Sequence, residues 1–164
     1  MIKLLVLDVD GCLTDGKIIY SGEGVEQKAF NVKDGLAIAS WIKMGFYAAI
    51  ITGRDSTIVE KRAKELGITH LYQGIKDKKT VLQNIAKELN LEMYEVAAIG
   101  DDLNDYKMLM EVGRSFTPSN GSEDVKEMVD TVLANKGGEG AVREMIDIIV
   151  VENDIKDDFL SIWI

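Results

Sequence analysis

A chain of 164 residues with 46% hydrophobic side chains is long enough to bury its own core, and one domain is expected over residues 1–164. A net charge of −9 argues against a nucleic-acid partner, because holding a phosphate backbone rests on Lys and Arg that release counterions. No apolar run nears the roughly 20 residues that span a bilayer, no secretory leader opens the sequence, and the single cysteine, Cys12, rules out an internal disulfide; the expected setting is the reducing cytoplasm, with no membrane partner.

Leu4-Leu5-Val6-Leu7 reads as a buried strand, and Asp8-Val9-Asp10-Gly11 follows it directly. Alternate residues of an extended chain point the same way, so Asp8 and Asp10 face one site at the strand's carboxyl end, where open α/β sheets bind ligands. Two carboxylates there call for a cation, and Mg²⁺, which takes carboxylate and carbonyl oxygens, suits them. A plain Asp-Gly turn is the alternative. Lys17–Tyr20 and Val25–Phe30, parted by Ser21-Gly22-Glu23-Gly24, give a hairpin signal.

Asp34 is expected to cap a helix that runs to about Met44 and stops at Gly45. Strand 46–51 then ends in Thr52-Gly53-Arg54, a hydroxyl and a guanidinium suited to phosphate oxygens. Arg54 reads either as a bidentate carboxylate ligand or as half of an ion pair with an acid on the next helix. Asp55 is expected to begin that helix and Gly67 to close it; Glu60, Lys61, Arg62, Lys64 and Glu65 solvate its outer face. His70-Leu71-Tyr72 is a short strand, with His70 structural.

Asp77 opens a helix whose Val81, Leu82, Ile85, Ala86 and Leu89 recur at helical spacing. Lys76, Lys78 and Lys79 cluster at its start, and spacing alone does not choose among them. Val96-Ala97-Ala98-Ile99 ends in Gly100-Asp101-Asp102-Leu103-Asn104-Asp105, adding acids at the same sheet edge, and Asp105 to Val112 is expected to be helical. Strand and helix pairs around Phe116, 123–129, Val132 and 141–151 complete the alternation, while the tail 152–164 fits no element. The pattern predicts the α/β class: a Rossmann-like parallel sheet with helices on both faces and a small β-hairpin after the first strand. Lys33, Arg54, Lys76, Lys78, Lys79 and Arg143 supply local cations for a small anion despite the acidic total.

Acid pair, hydroxyl, lysine, acid cluster: over residues 4–105 this order resembles the haloacid dehalogenase superfamily of phosphotransferases. Its four motifs match Asp8 with Asp10, then Thr52, then Lys78, then Asp101 with Asp105. The resemblance implies that Asp8 is the nucleophile, Asp10 the acid and base, and Thr52 and Lys78 the holders of the phosphate oxygens. It implies Mg²⁺ on the Asp8 and Asp101 side chains and the Asp10 carbonyl, with Asp102 and Asp105 fixing waters and geometry around them. Lys78 is preferred to its neighbours because it matches the superfamily position after Gln73-Gly74.

The gaps between motifs leave room for a hairpin and no lid. Gly11–Gly16, Phe30–Gly35, Gly67–Gly74 and Gly137–Glu144 carry a closer resemblance, over about residues 4–150, to capless phosphatases of 2-keto sugar acids. It implies hydrolysis of the terminal phosphate of an octulosonate 8-phosphate in lipopolysaccharide precursor synthesis. Alternatives are a nine-carbon sialic-type acid 9-phosphate as substrate, and a non-catalytic module associated with a sugar cytidylyltransferase. Lys33, Arg54 and Arg143 are the expected substrate-binding residues.

A lidless site is either open to a large substrate or covered by another subunit, and a homotetramer is expected. In it Ile18, Tyr20, Val25 and Phe30 pack against copies of themselves, Gly137, Gly138 and Gly140 allow close approach, and Arg143 reaches a neighbouring site. Rival motifs fail on single residues. Ile18 stands where a P-loop from Gly11 needs Ser or Thr, and Gly138–Arg143 lacks the last glycine of a dinucleotide fingerprint. Cys12 lacks the arginine six residues on that a cysteine phosphatase needs, and reads as a small packer.

Overall fold

The computed structural model describes all residues from Met1 to Ile164. Its elements in chain order are β1 Leu4–Leu7, β2 Ile19–Tyr20, β3 Glu26–Gln27, α1 Val32–Lys43, β4 Tyr47–Ile51, α2 Thr57–Leu66, β5 His70–Tyr72, α3 Lys78–Glu88, β6 Val96–Ile99, α4 Tyr106–Leu109, β7 Arg114–Thr117, α5 Glu123–Met128, β8 Thr131–Val132, α6 Ala141–Glu152 and α7 Lys156–Ser161. Six strands form one sheet in the order β5-β4-β1-β6-β7-β8, and every pairing in it is parallel. β2 and β3 form a separate antiparallel hairpin. The predicted α/β class, parallel sheet and hairpin are all present.

Strand periodicity divides the core into two layers. Leu5, Leu7, Ala48, Ile50, Ala97 and Ile99 pack with α1, α2, α6 and α7 on one face. Their alternates Leu4, Val6, Ala49, Ile51, Val96 and Ala98 pack with α3, α4 and α5 on the other. All four side chains of β1 are fully buried, each contributing about 1.5–3 kcal/mol. From β1 the chain winds outward through β4 to β5, then returns past β1 to β6. A crevice therefore opens between the carboxyl ends of β1 and β6, the topological switch point of such a sheet. Leu7 pairs with both Ile50 and Ile99, so Asp8, Thr52 and Asp101 leave three adjacent strands at nearly one level.

Several helix starts differ from expectation. Asn31, not Asp34, caps α1, accepting from the Lys33 amide. The Asp34 carboxylate is buried and instead receives the Arg143 amide at 2.8 Å, satisfying the first turn of α6 from across the helix pair. Burial holds the Asp34 carboxyl up at about 6. Ser56, rather than Asp55, caps α2 through the Ile58 amide. The helix expected over 105–112 shrinks to α4, preceded by a 3₁₀ turn at Leu103–Asp105 in which Asp102 and Asp105 make a reciprocal capping box.

The hairpin strands are only two residues long, and Ile18, Ile19, Tyr20 and Val25 are exposed. Phe30 behaves differently: it packs on its own chain's core, with the Arg62 guanidinium over its ring. The unassigned tail folds back across α1. Phe159 enters the core, and the Trp163 indole donates to Ser40 Oγ at 3.0 Å with Lys43 above its ring. Asn153 makes a two-way clasp with the Ile2 backbone. No helix is long and apolar enough to cross a membrane.

Candidate active site

The segment after β1 turns sharply enough to bring Asp8, Asp10 and Gly11 against the end of β6. Gly11 has φ +101, and a Cβ there would lie 2.0 Å from the Asp101 carboxylate, so only glycine lets the two segments meet. Thr14 Oγ1 ties the turn by accepting from the Gly11 and Gly16 amides. Gly137 and Gly138 back it from behind: a Cβ on Gly137 would lie 1.8 Å from the Gly11 carbonyl oxygen, and the Gly138 amide donates to the Cys12 carbonyl. These glycines thus press on their own chain's acid loop.

Lys78 is the first residue of α3, yet its side chain runs inward and is 1% exposed. Its ammonium donates to Asp8 Oδ1 at 2.6 Å and to Asp105 Oδ1 at 2.5 Å. Asp105 spends its other oxygen on the Asp101 and Asp102 amides, fixing the loop after β6. The structure therefore separates the three lysines that spacing left equivalent. Lys76 is exposed, and Lys79 forms a surface pair with Glu111.

The electrostatics are unbalanced toward negative charge. Burial, then repulsion from Asp105, pushes the Asp8 carboxyl well above the usual carboxylate range, against the pull of Lys78. Burial and the charges of Asp105 and Asp102 hold Asp101 at about 7. Burial would lower Lys78, but Asp8 and Asp105 outweigh it and hold the ammonium at about 12. Oxygens of Asp8 and Asp101 and the Cys12 sulfur all lie within 4.8 Å of one another. Two facing carboxylates short of positive charge fit a hard divalent cation. Cys12 does not extend that donor set: buried in the apolar core, its thiol is pushed well up, first by burial and then by the nearby acids, and stays a packing group.

A cavity of about 270 Å³ opens over these groups, lined by Asp8, Asp10, Thr52, Arg54, Asp101 and Asn104 among others, with no hydrophobic residue. Thr52 is buried and held by backbone bonds to Tyr72 and Ile75. Arg54 pairs with Glu26 of β3 at 3.0 Å, an acid on the hairpin and not on the following helix. Asp102 caps its turn at the cavity rim. Lys33 and Arg143 are not among the lining residues. Lys33 is exposed on the first turn of α1, and Arg143 pairs with Asp147 and borders a separate hollow along α6. His70 lies beside Glu88, far along the sheet edge.

Sequence reasoning missed Lys28. Its side chain is 1% exposed, and its ammonium meets Asp10 Oδ1 at 2.5 Å and Glu26 Oε1 at 3.3 Å. The available signal was the spacing of Glu26 and Lys28: two charges at i and i+2 on one side of an extended hairpin arm.

A family model described as haloacid dehalogenase-like hydrolase matches residues 71–146. The 3-deoxy-D-manno-octulosonate 8-phosphate phosphatase of Yersinia pestis is 42% identical over 153 residues, 93% of this chain and 82% of that protein. The Moraxella catarrhalis phosphatase of the same name, solved in complex with magnesium, phosphate and KDO, is 45% identical with a TM-score of 0.94, covering 99% of this chain and 94% of that one. The cobalt-bound Haemophilus influenzae structure is 37% identical at a TM-score of 0.89, covering 93% and 90%.

Proposed function

The chain belongs to the haloacid dehalogenase-like hydrolases, and from that premise we propose that it is a Mg²⁺-dependent phosphatase of 3-deoxy-D-manno-octulosonate 8-phosphate, releasing the sugar acid and inorganic phosphate. The observation that carries the reading is the Asp8 carboxylate, buried beside Asp101 at the sheet's switch point with one oxygen held by Lys78.

In this mechanism Asp8 attacks phosphorus in line while the bond from phosphorus to the sugar oxygen breaks. Lys78 holds Oδ1, which leaves Oδ2 to attack. Asp10 gives its proton to the departing alkoxide, then takes one from the water that attacks the aspartyl-phosphate, restoring the Asp8 carboxylate and freeing phosphate. Thr52 and Lys78 steady the phosphoryl oxygens as charge shifts onto them. Asp8, Asp101 and the Asp10 carbonyl would hold Mg²⁺, with Asp102 and Asp105 ordering the surrounding loop; when bound it neutralises the repulsion between carboxylate and phosphate dianion. Arg54, at the cavity mouth, suits the substrate carboxylate.

The same proposal includes a cytoplasmic homotetramer, in which Lys33 and Arg143 serve a neighbouring copy's site. The exposed apolar side chains of a hairpin too short to be stable alone support such an assembly. The test is kcat/KM on a panel of sugar-acid phosphates with Mg²⁺ and with chelator. A preference for the eight-carbon 8-phosphate, lost on chelation, supports the reading. Preference for a nine-carbon 9-phosphate would replace the substrate, and no hydrolysis of either would leave a binding module.

A further inference from the structure

The Lys28 ammonium is enclosed by two carboxylates on the underside of the hairpin, 2.5 Å from Asp10 Oδ1 and 3.3 Å from Glu26 Oε1. Glu26 Oε1 in turn receives Arg54 at 3.0 Å. One line of charge thus joins the loop after β1, the hairpin and the loop after β4. Removing an ammonium from water to this extent is costly, and such pairs seldom add stability over a well-packed apolar side chain. What the contact supplies is direction. The Asp10 carboxylate is 19% exposed and sits on a loop, where an unpaired side chain would rotate freely. With Oδ1 taken by Lys28, only Oδ2 remains to meet a leaving group.

We infer that Lys28 is a positioning residue for proton transfer: it fixes the Asp10 rotamer so that Oδ2 carries the proton to the sugar oxygen, and through Glu26 it couples that rotamer to Arg54. Lys28 itself touches no substrate. The inference rests on the reading of Asp10 as the proton donor.

Leaving-group chemistry tests it. A sugar alkoxide cannot depart without a proton, whereas nitrophenolate can, and kcat/KM reports only the steps through loss of the leaving group. Lys28→Met is expected to lower kcat/KM on the octulosonate 8-phosphate by about tenfold or more, since a small misplacement of a catalytic group reaches 10²-fold. On p-nitrophenyl phosphate the loss should stay below about threefold, and Lys28→Arg should recover part of the sugar-phosphate activity. Asp10→Asn is run alongside and should show the same selectivity, more severely. Equal losses on both substrates in Lys28→Met, with selectivity in Asp10→Asn, would overturn the role of Lys28 alone. Equal losses in Asp10→Asn would remove the proton donor and the positioning role together.

Discussion

Lys78 Nζ lies 2.6 Å from Asp8 Oδ1, joining residues 70 positions apart across two strands of the sheet. The same ammonium reaches Asp105, so one cation neutralises part of two buried carboxylates. Removing it strands both charges. Lys78→Ala is expected to cost about 3–5 kcal/mol in urea denaturation without metal, and at least about a hundredfold in turnover. Lys76→Ala and Lys79→Ala, which disturb only solvent or a surface pair with Glu111, should stay within about 1 kcal/mol. Similar losses from all three would mean that the region contributes only diffuse positive potential.

Without metal, the acid cluster opposes folding. Asp101 is held at about 7 from an ordinary 3.8, so between those values the folded chain keeps a proton that the unfolded chain has lost. The native state then binds more protons, and stability falls as pH rises from about 4 to about 7. Asp34, held at about 6, adds the same sign over the lower part of that window. Asp101→Asn should flatten the upper part and Asp34→Asn the lower, in chelator-treated protein. With Mg²⁺ at a hundredfold above its Kd, wild type should gain about 2.7 kcal/mol, and Asp101→Asn little. A rise of apo stability with pH across the window would contradict the charge balance described for the cluster.

Strand ends were legible because the apolar runs Leu4–Leu7, Ala48–Ile51 and Val96–Ile99 stop abruptly at Asp8, at Thr52 and at Gly100-Asp101. A parallel sheet aligns such ends, so the convergence of Asp8, Thr52 and Asp101 followed from local patterns and one topological rule. Contacts between distant segments left no such trace. Asp34 has the composition of a cap and is one, but for α6, 109 residues from the amide it serves. Lys28 resembled any strand lysine until the hairpin folded it under Asp10. Asp34 and Asp55 are the wrong caps for α1 and α2 because Asn31 and Ser56 are equally good capping residues, and only the backbone path decides which amide each can reach.

Gly137 is a sharper case, since its role is steric. A methyl group there would overlap the Gly11 carbonyl oxygen and approach the Thr14 carbonyl at 2.9 Å, both backbone atoms that cannot swing aside. Gly137→Ala should therefore displace the loop that carries Asp8 and Asp10, costing about 1–3 kcal/mol as overpacking and far more in kcat. Gly22→Ala, in the open hairpin turn with nothing near it, should be close to neutral on both measures. Wild-type turnover in Gly137→Ala would show that the acid loop does not depend on this backing.

The tail beyond Glu152, which fits no sequence pattern, holds the short helix α7. Cutting after Leu133 would remove α6, whose Ala141, Val142, Met145, Ile146, Ile149 and Val150 are buried in the larger core layer, and would unfold the chain. A cut after Asp154 is the informative one. It removes Phe159, 6% exposed within that core, and the Trp163 bond to Ser40. Thermal or urea unfolding should then show a loss of about 3–5 kcal/mol, close to that of Phe159→Ala, because the aromatic side chain accounts for most of the buried tail surface. No tail residue lines the acid cavity, so kcat/KM on the sugar-acid phosphate, measured where the shortened chain is still folded, should change less than about twofold. A rise in KM with unchanged stability would reverse the assignment, making the tail part of a substrate site completed between copies.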